Sequence, residues 1–143
     1  MDGLKVLAIG KYWICDNLDL LAPITETGTE ILTISGEHLL FKDGEKLPPF
    51  IMASEEEKRA YLNKNGIVFM GDVVTVEKGK LKGTAKSVSG YYRYIVPNTY
   101  GKAYTDYLIF NDGAKTNIFN CSINGTKCLI FREKAEIRAG GRL

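Results

Sequence analysis

Short alternations of apolar and polar residues dominate the chain after Gly66, and they predict a protein that is mainly β. Val74 and Val76 alternate with Thr75 and Glu77, as expected for a strand with one face turned inward. The predicted strands are 67–69, 72–77, 84–89, 91–96, 103–110, 115–119 and 127–132. The turn signals between them are Gly79, Gly90, Pro97-Asn98, Asn111-Asp112-Gly113 and Asn124-Gly125. Many short strands with turns at this spacing indicate a small antiparallel barrel or sandwich.

The first part of the chain predicts a second, smaller group of strands. Residues 4–9 and 11–15 have the strand pattern, and Gly10 between them predicts a bulge or kink. Residues 30–34 and 37–41 predict a hairpin, because Ser35-Gly36 between them is a turn signal.

One convincing helix is predicted between these two groups. It begins at Ser54, which forms a Ser-x-x-Glu capping box with Glu57, and it ends at Asn65-Gly66. The expected organisation is therefore a small β-rich N-terminal lobe, a linker with the short helix, a β barrel and a flexible tail. These four parts span residues 1–48, 49–66, 67–132 and 133–143.

Composition excludes several classes of protein. The chain has 143 residues, of which 45% are apolar and 25% charged, as in an ordinary globular protein. No apolar run reaches the 18 residues of a membrane span, and the first residues lack a secretory signal, so we expect a soluble cytoplasmic protein. Three cysteines without C-x-x-C spacing favour neither a disulfide scaffold nor a zinc site, and Cys121 and Cys128 are expected to behave as small hydrophobic residues.

Charge is distributed unevenly along the chain. Residues 1–66 contain 7 Lys or Arg and 11 Asp or Glu, whereas residues 67–143 contain 12 and 6. The formal charges of the two halves are therefore −4 and +6. This asymmetry is consistent with a polyanion partner for the second half, and equally with mutual attraction of the halves or with the ordinary variation of small domains.

The most informative segment is 71–88, which reads GDVVTVEKGKLKGTAKSV. It predicts a β-hairpin with a basic turn between two glycines. The segment resembles the KOW motif, an element of SH3-like barrels in ribosomal proteins and transcription elongation factors. The matching positions are Gly71-Asp72, Val74, Val76, Gly79, Lys82-Gly83 and Val88, while Lys86 stands where the family commonly has a further glycine.

The resemblance implies a binding module with an SH3-like KOW barrel. Such barrels bind RNA, ribosomal or polymerase surfaces through hairpin loops, and some bind only protein. The stretch YGKAYTDYLIFNDGAKTNIFNCSI also resembles the closing half of small KOW-like proteins of phages and mobile elements.

The residues around the motif favour nucleic acid as the partner. Exposed tyrosines can stack on unpaired bases, and lysines can contact phosphates. Strand alternation predicts that Tyr92 and Tyr94 share one face, with Tyr91 and Arg93 on the other. The alternative is that the tyrosines pack inward and the lysines form a solvated rim. The candidate binding residues are Lys78, Lys80, Lys82, Lys86, Tyr91, Tyr92, Arg93, Tyr94 and Lys102.

No recognisable nucleophile or acid–base constellation, metal motif, P-loop or dinucleotide motif appears, so the sequence predicts a non-enzymatic protein without cofactor or metal. An enzyme is the third hypothesis, for which Cys15 and His38 are the one conceivable catalytic pair. The leading hypothesis is a module that binds RNA, DNA or a ribonucleoprotein. The alternative is an inhibitor or adaptor that binds a host protein such as an immune nuclease, because the chain resembles phage accessory proteins. In that alternative Trp13 would anchor the partner, although a lone tryptophan is also a common core residue.

Overall fold

The computed structural model describes residues 3–15, 23–98 and 101–142. It is mainly β, with one short helix and a curled half-barrel sheet, and this confirms the predicted class. The chain divides into two compact units. Unit 1 is Met1–Lys58 together with Glu136–Leu143, and unit 2 is Arg59–Ala135.

The described residues form thirteen strands, one α-helix and one 3-10 helix. In chain order they are β1 (Leu4–Cys15), β2 (Ile24–Thr33), β3 (His38–Lys42), β4 (Phe50–Met52), α1 (Glu55–Asn63), β5 (Ile67–Val68), β6 (Val73–Val76), β7 (Ala85–Asn98), β8 (Gly101–Phe110), β9 (Lys115–Asn117), the 3-10 helix (Ile118–Asn120), β10 (Cys121–Ile123), β11 (Thr126–Lys127), β12 (Ile130–Phe131) and β13 (Gly141–Arg142).

The sheet of unit 1 has the strand order β13-β1-β2-β3, with β4 also paired to β1. The β1–β2 and β2–β3 pairs are antiparallel, whereas β4 and β13 run parallel to β1. The predicted hairpin across Ser35-Gly36 is confirmed, and Gly36 adopts the positive φ of 91° that its turn requires.

The prediction of a bulge or kink at Gly10 is wrong, because β1 continues through it without a change of register. The register shifts lie instead between Val6 and Ala8 and at the end of the strand. Gly10 is required for a different reason: a Cβ there would overlap the carbonyl oxygen of Ala139.

The end of the chain forms a strand where the sequence predicted only a flexible tail. Gly141 lies opposite Tyr12 in the parallel β1–β13 pair, and the N–H of Gly140 donates to the buried carboxylate of Glu30. The absence of a Cβ at Gly10 allows this close approach. Periodicity could not predict the contact, since it joins residues about 130 positions apart.

Helix α1 begins as predicted. The Ser54 N–H donates to Glu57 Oε1 at 3.0 Å, and the Glu57 N–H donates to Ser54 Oγ at 3.1 Å, which completes the capping box. Two hydrogen bonds, the first from the Lys5 side chain and the second from the Ser54 N–H, lower the pKa of Glu57 to about 2. Gly66, with a φ of 82°, follows the helix end.

The main sheet of unit 2 has the order β11-β10-β6-β7-β8-β9. Within the described residues its end strands, β11 and β9, do not pair with each other. The sheet is therefore open and curled, and its closure into an SH3-like KOW barrel stays a prediction.

Two details of this sheet differ from the sequence prediction. Gly90 is not a turn: β7 runs through it with a register shift between Val88 and Gly90, which is the bulge that separates its two halves. Residues 121–123, where no strand was predicted, form β10, which pairs with β11 in a short hairpin. Its turn, Asn124-Gly125, was identified from the sequence, and both residues have positive φ.

The core of unit 2 lies against one side of this sheet. Both cysteines of unit 2 are buried in it, as predicted, and burial raises the pKa of Cys121 to about 11 and that of Cys128 to about 12. The fully buried core side chains are Val68, Val74, Val76, Val88, Leu108, Phe110, Ile118, Cys121, Ile123, Cys128 and Phe131.

Candidate nucleic-acid interface

The turn between β6 and β7 carries three exposed lysines; we name residues 78–83 the lysine loop. Gly79 and Gly83 both have a φ of 87° with open space or only ordinary contact where a Cβ would lie. Glycine is therefore needed there for its backbone conformation. Hydrogen bonds from the Lys82 N–H to Gly79 O, at 3.2 Å, and from the Gly83 N–H to Val76 O, at 2.8 Å, close the loop.

The lysines of this loop are exposed and form no ion pair within the described residues. Lys78, Lys80 and Lys82 are all exposed, and none of them forms an ion pair with any residue in the described part of the chain. Their charges are therefore available to an outside anion.

Lys86 lies in a different environment at the start of β7. Its ammonium pairs with Asp112 and its side chain is mostly buried. The hydrogen bond from Lys86, followed by that from the Ala114 N–H, lowers the pKa of Asp112. The charge of Lys86 is thus compensated within the protein.

The inner face of the β7–β8 ribbon carries Tyr91, which packs against the core, and Arg93, which is exposed but pairs with the buried Asp106. The Tyr91 ring stacks on Phe131 with ring centroids 4.2 Å apart. Arg93 makes a two-point contact with Asp106: Nε donates to Oδ1 at 2.7 Å and Nη2 donates to Oδ2 at 3.2 Å. The Asp106 carboxylate, only 4% exposed as a residue, also accepts the Phe131 N–H at 3.0 Å.

These contacts fix the charges of the pair. Burial opposes the charged form of Asp106, but the hydrogen bonds from Arg93 and the Phe131 N–H outweigh it and lower the pKa of Asp106. The same hydrogen bond to Asp106 raises the pKa of Arg93. Tyr91 and Arg93 therefore have structural partners within the protein.

The outer face of the ribbon carries Tyr92 and Tyr94, which are 41% and 56% exposed. This division of the four residues between the faces confirms the predicted alternation. Tyr92 lies opposite Tyr107, and their rings are nearly parallel, at 3°, with centroids 5.0 Å apart. Lys115 Nζ lies 5.8 Å from the centroid of the Tyr92 ring.

Tyr107 and Lys115 are outer-face residues that sequence reasoning missed. A turn centred on Pro97-Asn98 would have placed Tyr92 opposite Ala103, whereas the actual register pairs Tyr92 with Tyr107. Tyr107 and Ile109 alternate with Leu108, and this pattern could have placed Tyr107 on one face of β8. It could not have given the residue opposite Tyr107, because that depends on the turn position.

Two further predicted site residues are Lys102 and Trp13. The side chain of Lys102 lies outside the described part of the structure. Trp13 belongs to unit 1, where it is half-buried and lines a cleft of about 290 Å³. The other residues that line the cleft are Lys11, Tyr12, Ile24, Thr27, Gly28 and Asp43.

Asp72, the acidic residue of the KOW-like motif, has a structural environment. Its carboxylate accepts hydrogen bonds from Arg59 at 3.2 Å, from the Asn63 side chain at 3.0 Å and from the Phe69 N–H at 2.8 Å. It thereby ties the end of α1 to the turn before β6. With its lone pairs used in this way, Asp72 is a fold determinant of the hairpin.

The described ranges contain neither a metal-binding cluster nor a membrane-spanning helix. No cluster of three or more His, Cys, Asp or Glu side chains there is arranged to hold a metal ion. No helix in the same ranges has the length and apolar character needed to cross a membrane.

Comparison of the chain with protein-family models, with curated proteins and with solved structures finds no match.

Proposed function

We propose that this protein binds nucleic acid through unit 2, with the lysine loop contacting phosphates and the outer face of the β7–β8 ribbon contacting bases. The observation that carries the proposal is the exposure of Lys78, Lys80 and Lys82 on a glycine-bounded loop without ionic partners in the described residues. Lysines held this way can neutralise phosphates at little cost in lost ion pairs.

The distribution of charge between the units supports the same partner. Unit 2 contains 12 Lys or Arg and 5 Asp or Glu, whereas unit 1 contains 7 and 12. The charge difference follows the structural division more sharply than it follows the halves of the chain. A basic unit of this kind attracts polyanions over a distance set by the Debye length.

The KOW-like pattern is a second line of support. The glycines and valines that carry the resemblance lie in the β6–β7 hairpin, with Val74 and Val76 in the core and the lysines in the connecting loop. In the family that the pattern resembles, hairpin loops contact RNA or ribonucleoprotein surfaces. RNA, DNA and a ribonucleoprotein are all compatible with this chemistry.

The test is a binding assay across salt concentrations. Fluorescein-labelled 20-nucleotide single strands and 20-base-pair duplexes are titrated with protein from 50 to 300 mM salt, and anisotropy is followed. We expect affinity to fall steeply with salt. In the double variant Lys80→Glu/Lys82→Glu we expect about tenfold weaker binding, and a salt slope smaller by about one per lysine removed.

A matched control makes the same change in net charge elsewhere. Lys46→Glu/Lys64→Glu alters two exposed lysines outside the loop and should retain most of the affinity. Binding that is independent of salt, or equal losses in the two double variants, would contradict the proposal.

An inhibitor or adaptor that binds a host protein is the second candidate, and one observation in unit 1 favours it. The three consecutive side chains of β4, Phe50, Ile51 and Met52, are all exposed, with Ile51 at 54%. An exposed apolar strand in an acidic unit suits a protein partner with basic residues around an apolar patch. Trp13 would then add an aromatic anchor.

A pull-down from bacterial lysate, with and without nuclease treatment, separates the two candidates. A protein that remains bound after nuclease treatment, and is lost with Ile51→Asp but not with Lys80→Glu/Lys82→Glu, supports the second candidate. Partners that disappear on nuclease treatment support the first.

A further inference from the structure

We infer that the nucleic acid bound by this protein is single-stranded, and that the outer face of the β7–β8 ribbon stacks its bases on Tyr92 and Tyr94. The inference rests on the proposed function and names the form of nucleic acid that the site accepts.

The first step is that the outer-face tyrosines are not required for the core. Tyr91 and Arg93 point to the core side, where Phe131 and Asp106 contact them. Tyr92 and Tyr94 point the opposite way and retain about half of their surface to solvent. Large aromatic side chains left open in this way are available to a partner.

The second step concerns the geometry of the rings. The Tyr92–Tyr107 stack fixes the orientation of both rings before any ligand arrives, which reduces the entropy lost on binding. Tyr94 lies opposite Thr105, and its ring stacks on no other ring in the described residues. Tyr92 and Tyr94 are two positions apart in β7, which separates them by about 6.8 Å along the strand. This separation is about twice the 3.4 Å step between stacked bases.

The third step is the choice between single and double strands. In a duplex each base face is covered by its neighbours, so a flat aromatic surface gains little from it. An unpaired base can stack on a tyrosine, and such stacking contributes about five- to 150-fold in affinity per base. The outer face therefore discriminates in favour of the single strand.

The fourth step is the charge around the rings. Lys115 lies on the outer face beside Tyr92. The lysine loop precedes the same strand, β7, and ends nine residues before Tyr92, so its charges lie further along the strand. Lysines next to exposed tyrosines suit a strand with phosphates on its edge and bases on the rings. A protein partner for the same face would have to match this positive charge with acidic side chains.

The test compares three probes at 100 mM salt: a fluorescein-labelled 12-nucleotide oligo(dT), the oligo(rU) of equal length, and the duplex of oligo(dT) with oligo(dA). We expect at least one single strand to bind about tenfold more tightly than the duplex. Tyr94→Ala should weaken single-strand binding about fivefold or more and leave duplex binding unchanged. Tyr94→Phe, which keeps the ring, should bind like the unaltered protein.

The outcomes separate this inference from the proposed function. Equal affinity for single strand and duplex, or an unaffected Tyr94→Ala, overturns the inference, and the proposed function still stands if Lys80→Glu/Lys82→Glu weakens binding. Absence of binding to every probe overturns both. Tighter binding of oligo(dT) or of oligo(rU) than of the duplex supports the inference. Circular dichroism of each variant checks that its fold is retained.

Discussion

The two faces of the β7–β8 ribbon carry the same kinds of residue, but the residues of the two faces differ in their contacts within the protein. The inner face places Tyr91 on Phe131 and Arg93 on the buried Asp106. On the outer face Tyr92 and Tyr94 are exposed, and Lys115 lies beside Tyr92. From Tyr91 to Tyr94, whether a side chain has core or carboxylate partners or is left open therefore depends on the face it occupies, not on its type.

The same contrast applies to the basic residues of unit 2. Arg93 and Lys86 have carboxylate partners, whereas the three lysines of the lysine loop have none in the described residues. Only the second group can give its charge to a ligand without breaking an internal ion pair. Substitutions in each group test this division between structural and available side chains.

The largest effect is expected from Asp106→Ala on the inner face. The change leaves the Arg93 guanidinium and the Phe131 N–H without their acceptor. Loss of one partner of a buried pair costs about 3–5 kcal/mol, and since the Arg93 side chain is 33% exposed we expect about 3 kcal/mol. The change in the free energy of unfolding is measured by urea unfolding, with far-UV circular dichroism as the signal.

Asp112→Ala is the matched control for this prediction. It also removes a carboxylate that pairs with a basic side chain, Lys86, but Asp112 itself is more than half exposed. Its loss should destabilise the protein much less. Equal losses of unfolding free energy in the two variants would show that the Arg93–Asp106 pair stabilises the fold no more than the Lys86–Asp112 pair does.

The second effect compares two tyrosines of opposite parity. Tyr91→Ala removes a half-buried ring from its stack on Phe131 and should cost about 2 kcal/mol, less than for a fully buried aromatic side chain. Tyr94→Ala removes an exposed ring and should change the free energy of unfolding by less than about 0.5 kcal/mol. A stability loss at Tyr94 as large as that at Tyr91 would place both rings in structural roles.

The third effect is a pH dependence that originates on the inner face. The pKa of Asp106 is lower in the folded protein than in the unfolded chain, so its contribution to stability is complete above its unfolded pKa of about 3.9. That contribution is lost as the pH falls through the lower, folded pKa. The stability advantage of the unaltered protein over Asp106→Asn should be constant from pH 7 to 5 and shrink below about pH 4.

Urea midpoints of both proteins between pH 7 and 2.5 provide the measurement. Other carboxylates with a lowered pKa, such as Glu57 and Asp112, are present in both proteins and contribute equally to both curves. The difference between the curves therefore reports Asp106. A difference that stays constant down to pH 2.5 would show that the pair with Arg93 does not lower the pKa of Asp106.

The sequence predicted the local features of this fold well. The capping box of Ser54 and Glu57, the turn at Asn124-Gly125 and the alternation of Tyr91 to Tyr94 all depend on neighbouring residues, and all are present. Local patterns also gave the mainly β class. These features are predictable because their energies are determined within a few residues.

The features that the sequence did not predict depend on distant residues. The pairing of Tyr92 with Tyr107 needs the true turn position, and the closeness of Gly10 to Ala139 needs the return of the chain end to β1. Arg93 could be placed on a face, but its partner Asp106 comes from the next strand. Single-sequence periodicity contains no information on such pairings, so the pair of Arg93 with Asp106 could not be predicted.

The smallest effect concerns Gly90, at the point where β7 passes from its first half into the ribbon. Gly90 has no positive φ, and a Cβ there would lie 3.9 Å from Ile109 Cδ1, an ordinary van der Waals contact. Gly90→Ala should therefore stabilise the protein by about 0.5 kcal/mol, because alanine restricts the unfolded chain more than glycine does. Gly10→Ala, with its overlap on Ala139, should instead destabilise. If both changes destabilise the protein, Gly90 is needed for the bulge that sets the parity of Tyr92 and Tyr94, and the division between the two faces begins at that glycine.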